Sequence, residues 1–292
     1  MLNRTAKHQV RRHLGQVARL VILIANHGGE EIELVHELRT EIRRANRALR
    51  VFSEWLPQHQ ADRIGKRLAA IRRNAGKVRD LDMLLPSLLS FAELIPSQIM
   101  TQFRVIIRDQ RVGAMHSLKK ACVGLLKRQF DRDIRLLSRR VIWRGKTKPP
   151  KLTTFLSQRI APLALRFFAE FEFMGIEPQQ VHEVRILGRR LRYELDLFQK
   201  ALDGPEFRLI GMNLAEIQER LGQVHDRWTV LQFLHEFSGE SRSLPASLLQ
   251  KFPDLEAIIN QELIQAFQES LENVARVKLG LEKWTHDRNA VG

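Results

Sequence analysis

The chain has 292 residues, of which 44% are hydrophobic, so it is long enough to bury one large core or two average ones. Its 48 Lys and Arg outnumber its 33 Asp and Glu, which gives a formal net charge of +15, and its single cysteine, Cys122, excludes a disulfide framework. The sequence contains neither a membrane-spanning apolar run nor a secretory signal pattern, which predicts a cytoplasmic protein that does not bind a membrane.

Apolar residues recur at helical spacing along nearly the whole chain, and no alternating strand pattern is evident, so the predicted fold class is all-α. Prolines and glycine-containing segments mark the breaks between helices. The predicted helices, in chain order, are 4–25, 30–55, 59–80, 97–143, 152–173, 178–201, 206–225 and 254–285, with shorter pieces at 81–94 and 228–238.

The positive charge is concentrated in the first half of the chain. Residues 1–146 contain 30 Lys and Arg against 13 Asp and Glu, whereas residues 147–292 contain 18 against 20. A field of this kind attracts polyanions such as nucleic acid, an anionic membrane surface or polyphosphate. Arg outnumbers Lys by 35 to 13, and the planar guanidinium suits bidentate contacts with phosphate oxygens. A generally basic, solvated surface is the alternative interpretation.

Two segments recur at an offset of 146 residues. VHELRTEIRRANRALRVF, from Val35, shares eight of eighteen positions with VHEVRILGRRLRYELDLF, from Val181, and LAAIRRNAGKVRDLDMLLPSL, from Leu68, aligns without a gap with LAEIQERLGQVHDRWTVLQFL, from Leu214. A constant offset over two helices indicates a duplicated helical unit. We therefore predict two pseudo-symmetric antiparallel bundles of about four helices each, a strongly basic repeat at 1–146 and a near-neutral repeat at 147–292.

A helical projection of the first repeated segment separates an apolar stripe from a narrow basic arc about 21 Å long. No acidic residue of that helix falls within the arc, and its histidine lies near the start of the helix, where the helix dipole favours anions. The residues of this arc, named here the first His/Arg row, are His36, Arg39, Arg43, Arg47 and Arg50.

The second repeated segment keeps part of this pattern. His182, Arg185 and Arg189 occupy the matching positions, Tyr193 replaces the fourth residue, and Arg192 flanks them; these cationic residues are named the second His/Arg row. Arg44 and Arg190 recur together but point away from the rows, towards neighbouring helices.

The helix predicted at 59–80 carries a further basic row. Lys66, Arg73 and Lys77 fall on one line, and Arg72 and Arg79 flank the apolar stripe. If this helix packs beside the first repeated helix, two rows of like charge face one groove and repel each other. We therefore expect an anion to occupy that groove. A face that only contacts solvent would not require the same residue spacing in both repeats.

The pairing of VHxxRxxxRR with a later G-x-V-[R/H]-D, present twice in a basic helical chain, resembles the CHAD family, the conserved histidine α-helical domain. The resemblance covers nearly the whole chain. It implies a single domain, residues 1–292, of two four-helix bundles that binds inorganic polyphosphate, without catalysis, in a basic groove or channel between the bundles. We also expect a stand-alone member located at polyphosphate granules, with no fused triphosphate-tunnel catalytic domain. The residues that match the family pattern are His36, Arg39, Arg43, Arg44, Arg79 and Asp80, with His182, Arg185, Arg189, Arg190, His225 and Asp226.

Two further expectations follow from the residues at these positions. Asp80 and Asp226 are expected to orient arginines of the rows. Three residues of the second repeat, Gln218, Glu219 and Gln223, replace Arg72, Arg73 and Lys77, so the second repeat is expected to contribute less to binding.

Other functions compete with this interpretation. Binding to a nucleic-acid backbone is the first alternative, and weak binding is expected of any phosphate polymer, although Tyr193 is the only aromatic residue near the rows. A metal-dependent phosphohydrolase would use the pair His225-Asp226, but Arg79-Asp80 stands at the equivalent position and arginine does not ligate metals. We therefore predict no catalysis, no metal and no cofactor. A scaffold role is the third alternative, in which the near-neutral second repeat docks a protein partner that the sequence does not identify.

Overall fold

The structure, a computed structural model, describes residues 1–27, 32–175, 177–199, 204–239 and 246–289. All regular elements within these ranges are helical, which confirms the predicted all-α class. A 3-10 turn at Ser53–Trp55 follows the second helix. The α-helices are α1 (Leu2–His27), α2 (Ile32–Val51), α3 (Gln58–Leu89), α4 (Ser97–Lys127), α5 (Phe130–Arg139), α6 (Leu152–Glu172), α7 (Pro178–Phe198), α8 (Pro205–Gly239), α9 (Ala246–Leu249) and α10 (Phe252–Asn289).

The helices belong to two compact units. The first unit comprises Met1–Leu85 and Gln102–Leu152, and the second comprises Pro86–Thr101 and Thr153–Gly292. The main division at residue 152 falls six residues after the end of the predicted first repeat, and the segment 86–101 belongs to the second unit. The helices that carry the repeated segments keep nearly the same offset, because α2 and α7 begin 146 residues apart and α3 and α8 begin 147 residues apart.

In the first unit, α1 packs against α2 and α5. Leu14 and Ile24 of α1 and Leu38 and Ile42 of α2 are completely buried, as the helical spacing of the apolar residues predicts. Burying four side chains of this size stabilises the unit by roughly 1.5–3 kcal/mol each. The packed apolar stripe of α2 leaves its polar residues on the other faces.

An aromatic cluster fixes the C-terminal end of α2. The ring of Trp55 lies with its centroid 6.0 Å from that of Phe52 and 4.5 Å from that of Trp143. The chain after α5 is bonded to the same place, since the amide of Ile142 donates to the carbonyl of Trp55 over 3.0 Å. The direction of α2 is therefore set at this end by both aromatic packing and backbone hydrogen bonds.

In the second unit, α8 packs against α7 and α10. Phe171 of α6 stacks on Phe267 of α10 with ring centroids 5.0 Å apart. Gly188 allows α7 to approach its neighbours closely, because a Cβ at this position would lie 2.5 Å from Gln218 Nε2 and 2.9 Å from the ring of Phe167. The first repeat has Ile42 at the equivalent position, so the packing of α7 differs from that of α2.

Three predicted helix boundaries are wrong. The pieces 59–80 and 81–94 form one helix, α3, which continues past Pro86 because Leu84 and Leu88 extend the buried stripe. The pieces 206–225 and 228–238 form the single helix α8, because the buried residues Val224, Val230 and Leu234 continue its apolar stripe through the predicted break. The helix predicted at 97–143 ends at Lys127, because Gln129 adopts a left-handed conformation with φ of 55° before α5 begins. The predicted helix ends at residues 30–31 and 200–201 lie outside the described residues.

Cys122 lies in the interior of the first unit, on α4. Burial raises the pKa of its thiol to about 12, so the thiol is protonated at neutral pH. Among the described helices, none combines the length and the apolar character that crossing a lipid bilayer would require.

Candidate functional site

The first His/Arg row lies on the part of α2 that does not face the core. Val35, Leu38 and Ala45 are buried on the apolar stripe, and the row follows a different side of the helix. Its two end residues, His36 and Arg50, are exposed, and its three middle arginines are partly buried. The predicted arrangement of this row along one helix is therefore present.

Arg39 is held between α2 and α3. Its Nη1 donates hydrogen bonds to Asp80 Oδ1 over 3.0 Å and to the carbonyl of Gly76 over 3.3 Å. The Arg39 side chain is 17% exposed, whereas that of Asp80 is 66% exposed. Asp80 was expected to orient an arginine of the row, and it contacts Arg39. It also places one negative charge beside the row.

The predicted row on α3 is present at the surface. Lys66, Arg72, Arg73 and Lys77 are exposed, and Arg79 is partly buried. Because Arg39 of α2 bonds to two residues of α3, the basic residues of both helices belong to one continuous region of the first unit. We name this region the first basic face.

The charge around His36 is the clearest electrostatic feature of this face. Although His36 is exposed, neighbouring protein atoms shield part of its ring from water. This partial burial, and next the nearby Arg79, lower the pKa of His36 below its ordinary value of 6.5; Arg43 and Arg39 act in the same direction, and Glu33 opposes them. The imidazole is therefore uncharged at pH 7 in a positive environment. An anion bound there would compensate the arginines and favour the imidazolium.

Arg44 belongs to a different network, in the contact between α1 and α2. Its Nη1 donates to Glu41 Oε1 over 2.8 Å, and Glu41 Oε2 lies 2.8 Å from Nδ1 of His13. Burial alone would raise the pKa of Glu41, but hydrogen bonds from His13 and Arg44 outweigh it, so that the pKa of this carboxyl is lowered. The guanidinium of Arg44 is therefore engaged by a buried carboxylate, whereas the family resemblance places Arg44 among the expected polyphosphate-binding residues.

In the second unit, two histidines take the places of His36 and Arg79. His182 Nδ1 lies 3.3 Å from His225 Nε2, and the two rings stack with centroids 5.4 Å apart. Burial, and next His225, lower the pKa of His182; Arg185 and Arg189 act in the same direction, and Glu183 opposes them. Both units thus place a second nitrogen-containing side chain near the histidine of the row. It is Arg79 in the first unit and His225 in the second.

The second His/Arg row is less exposed than the first. Arg185, Arg189 and Arg192 are partly buried, and Arg190 is exposed. Tyr193, which replaces the fourth residue of the row, is 5% exposed and lies in the core. From Tyr193 to Phe198, α7 is buried on nearly all its faces, Glu194 included, so this last part of the helix presents no open basic surface.

The second predicted orienting residue makes a different contact from the first. Asp226 Oδ1 lies 3.6 Å from His225 Nδ1, so that its closest described partner is an imidazole and not an arginine. On α8, Glu219 and Gln223 are exposed where the first unit has Arg73 and Lys77. The basic residues of α7 therefore have no comparable row beside them on α8.

A pocket of about 690 Å³ in the second unit was missed from the sequence. It is lined by His182 of α7, by His225, Trp228 and His235 of α8, and by Glu256 of α10. Trp228 gave one available signal, because it stands at the position of Asp82 when the repeats are aligned. Among the described residues, the structure places no group of three or more His, Cys, Asp or Glu side chains where they could hold a metal ion.

Comparison with known proteins gives three findings. The family model of the CHAD domain matches residues 5–235. The crystal structure of the CHAD domain from the plant Ricinus communis is similar, with a TM-score of 0.68 and 20% sequence identity, over 97% of this chain and 92% of that chain. PptA from Streptomyces chartreusis is similar with a TM-score of 0.70 and 16% identity, over 92% of this chain and 99% of that chain. These two likenesses show a common fold. Comparison with curated protein sequences finds no match.

Proposed function

The chain belongs to the CHAD-domain family, and from this premise we propose that it binds inorganic polyphosphate through the first basic face, without altering the polymer chemically. The second His/Arg row, with His225, makes a smaller contribution. The observation that carries the proposal is the first basic face itself, where Arg39 of α2 bonds to α3 and where Arg79, Arg43 and Arg39 act together on His36. Cations that are held close together repel one another, and an anion that binds among them relieves this repulsion.

A linear phosphate polymer suits this face because it offers regularly spaced charges and no bases. The exposed residues of α3, Lys66, Arg72, Arg73 and Lys77, extend the region of positive charge beyond α2. A single exposed ion pair contributes at most about 1 kcal/mol. Several pairs formed with one polymer act together, because each contact raises the effective concentration of the next phosphate group.

Nucleic-acid binding is the second candidate function, since a phosphate backbone experiences the same field. Proteins that hold single strands add aromatic side chains on which bases stack. The sequences of α2 and α3 contain no Phe, Trp or Tyr, and Tyr193 of the second repeat is buried. These features support polyphosphate as the preferred polymer, and we further propose that the protein is cytoplasmic and is located at polyphosphate granules.

The experiment compares two double variants of the whole protein by calorimetric titration with long-chain polyphosphate. Arg39→Gln with Arg43→Gln removes two charges from the first basic face and is expected to weaken binding about tenfold or more. The matched control is Arg104→Gln with Arg108→Gln, which removes two exposed arginines at the same spacing from α4 of the same unit. The control is expected to bind within about threefold of the wild type.

Three outcomes would contradict the proposal. Equal losses in the two double variants would mean that only the total charge matters and that the first basic face is not a site. Displacement of long-chain polyphosphate by duplex DNA at equal phosphate concentration would favour the second candidate function. Release of inorganic phosphate from the polymer by the purified protein would show catalysis and contradict the proposal of binding alone.

A further inference from the structure

The long helix α10 carries apolar residues on two of its sides. On one side, Leu255, Ile259 and Leu263 are buried in the core of the second unit. On another side, Ile264 and Leu271 are 50% and 48% exposed. A helix at the surface of a globular unit typically has one apolar stripe, and polar or charged residues opposite it. The second apolar side of α10 therefore has no role in the packing of its own unit.

The residues of this exposed side follow one another at alternating steps of four and three residues, which is the repeat of a helix that packs along a second helix. We name them the α10 seam: Ala257, Gln261, Ile264, Gln268, Leu271 and Ala275. All six are exposed and none is charged. From its first to its last residue the seam rises by about 27 Å. Contact with water alone does not explain an uncharged stripe of this length and spacing, whereas contact with another helix does.

Charged residues enter this repeat only at its two ends, and their signs are opposite. One step before the seam lies Asp254, and one step after it lies Lys278, and both side chains are exposed. The rest of α10 has the same polarity. Residues 252–270 contain four acidic residues and no Lys or Arg, whereas residues 271–283 contain three basic and two acidic residues. The seam therefore begins at a negative end of the helix and finishes at a positive one.

This order of charges makes the seam complementary to a copy of itself that runs in the opposite direction. In an antiparallel pair of α10 helices, Asp254 of each chain faces Lys278 of the partner subunit, and Ile264 faces Gln268 of the partner subunit. The arrangement has a two-fold axis, so each contact occurs twice. A parallel pair would instead place like charges opposite each other at both ends, which is unfavourable.

We propose that the α10 seam is the interface of a homodimer, in which α10 packs antiparallel against α10 of a second copy of this chain. Burial of Ile264 and Leu271 supplies the attraction. The ion pairs between Asp254 and Lys278 at the two ends fix the direction and register of the helices and contribute less to affinity. The proposal uses no residue of the first basic face, so it does not depend on the proposed function.

The first test measures the mass of the whole protein by analytical ultracentrifugation over a range of concentrations. The wild type is expected to approach twice the mass of one chain as its concentration rises. Ile264→Glu with Leu271→Glu is expected to remain monomeric over the same range. The matched control, Leu165→Glu with Phe173→Glu, changes two apolar residues of the second unit that are 68% and 80% exposed, and is expected to dimerise like the wild type. Circular dichroism checks that each variant is folded.

Exchange of the two end charges tests the antiparallel direction. Asp254→Lys alone, or Lys278→Asp alone, places like charges opposite each other at both ends, and each is expected to weaken dimerisation about tenfold at low salt. The double variant Asp254→Lys with Lys278→Asp restores opposite charges at both ends, and is expected to dimerise within about threefold of the wild type. A partner with a different sequence would not be restored by this exchange.

Crosslinking through introduced cysteines tests the register. Cys122 is the only cysteine and is buried, so a short thiol crosslinker acts on the introduced residues alone. A mixture of Ala257→Cys and Ala275→Cys chains is expected to crosslink, because the two positions face each other in the antiparallel pair. Ala257→Cys chains alone are expected not to crosslink, because their two thiols lie about 27 Å apart along the helices.

A wild-type protein that stays monomeric at every concentration would overturn the proposal, and this result needs no variant. Equal dissociation of the seam variant and of its matched control would also overturn it, since the contact would then lie elsewhere. Crosslinking of Ala257→Cys chains with one another would mean that the helices are parallel, which contradicts the proposed interface. The proposed function fails by a different result, namely the absence of polyphosphate binding, so the two failures are distinguishable.

Discussion

Arg39 of α2 donates a hydrogen bond to Asp80 of α3 over 3.0 Å, so this row arginine is both positioned and partly neutralised by the adjacent helix. The carbonyl of Gly76, which accepts from the same nitrogen over 3.3 Å, limits the guanidinium to one direction. A receptor for a polyanion gains from a fixed arginine, because less side-chain entropy is lost on binding. It also loses attraction through the nearby carboxylate.

The two effects of Asp80 are separable by substitution. Asp80→Asn keeps an oxygen that accepts from Arg39 and removes the negative charge, so polyphosphate affinity is expected to rise, by up to about fivefold at low salt. Asp80→Leu removes both the charge and the acceptor, and its affinity is expected to be lower than that of Asp80→Asn. Calorimetric titration measures both. Weakening by Asp80→Asn as large as that of Arg39→Gln would mean that the carboxylate charge itself is required.

The second His/Arg row is expected to matter less than the first. Arg185→Gln with Arg189→Gln should weaken polyphosphate binding by no more than about threefold, because Glu219 and Gln223 replace the cations that α3 supplies in the first unit. The comparison is made with Arg39→Gln and Arg43→Gln under identical salt. An equal or larger loss in the second row would refute the asymmetry between the two repeats.

The lowered pKa values of His36 and His182 predict a pH-dependent stability. The folded-state pKa of each lies below 6.5, so below that pH the unfolded chain binds more protons and the free energy of unfolding decreases with falling pH. Bound polyphosphate favours the imidazolium and opposes this decrease. The increase in melting temperature caused by polyphosphate should therefore be larger at pH 5.5 than at pH 7.5.

Two double variants check the assignment of this pH dependence. His36→Gln with His182→Gln should reduce the difference between the two pH values. His59→Gln with His116→Gln, which changes two exposed histidines of the first unit, should leave it unchanged. If both double variants behave alike, the pH dependence arises elsewhere in the protein.

The salt dependence reports the number of cations that contact the polymer. By analogy with single-stranded nucleic acids, the logarithm of the association constant should fall linearly with the logarithm of the salt concentration, by about 0.7 for each neutralised phosphate. For Arg39→Gln with Arg43→Gln, the slope should be less steep by about 1.4. A slope near zero for the wild type would indicate a ligand held by non-ionic contacts.

The network of His13, Glu41 and Arg44 is expected to affect stability and not binding. His13→Ala leaves Glu41 buried with one partner fewer, and should cost about 3 kcal/mol, the lower end for breaking a buried ion pair, because Arg44 continues to neutralise the carboxylate. The lowered pKa of Glu41 adds stability above about pH 4.5 that is lost on further acidification. Chemical denaturation measures both effects. His116→Ala, at an exposed position, is the control, and an equal cost there would contradict the role of the network.

Periodicity predicted the helices because burial follows it. Leu38 and Ile42 recur at helical spacing and are completely buried, and the same projection placed His36, Arg39 and Arg43 on another side of α2. The break at Gln129 could not be predicted in this way, since glutamine rarely adopts a positive φ and no glycine or proline marks the site.

The contacts between helices could not be predicted, because the spacing of residues along the sequence does not contain them. A glutamate is usually exposed to solvent, so the sequence gives no sign that Glu41 is buried. Only the packing of α1 on α2 brings His13 to it. Tyr193 fits the row by spacing but lies in the core, because the C-terminal half of α7 is enclosed on several sides. Trp228 lines a pocket that the start of α10 helps to form through Glu256 and Asn260, and this contact between helices is not visible in the sequence.

The buried thiol of Cys122 makes the protein suitable for site-specific labelling. Alkylating reagents attack the thiolate, and a thiol with a pKa of about 12 in the interior of the first unit supplies almost none at neutral pH. A cysteine introduced at an exposed position, such as Lys66 on the first basic face or Glu256 beside the second-unit pocket, would therefore carry a fluorophore alone. Occupancy of the two regions can then be followed separately in otherwise unaltered protein.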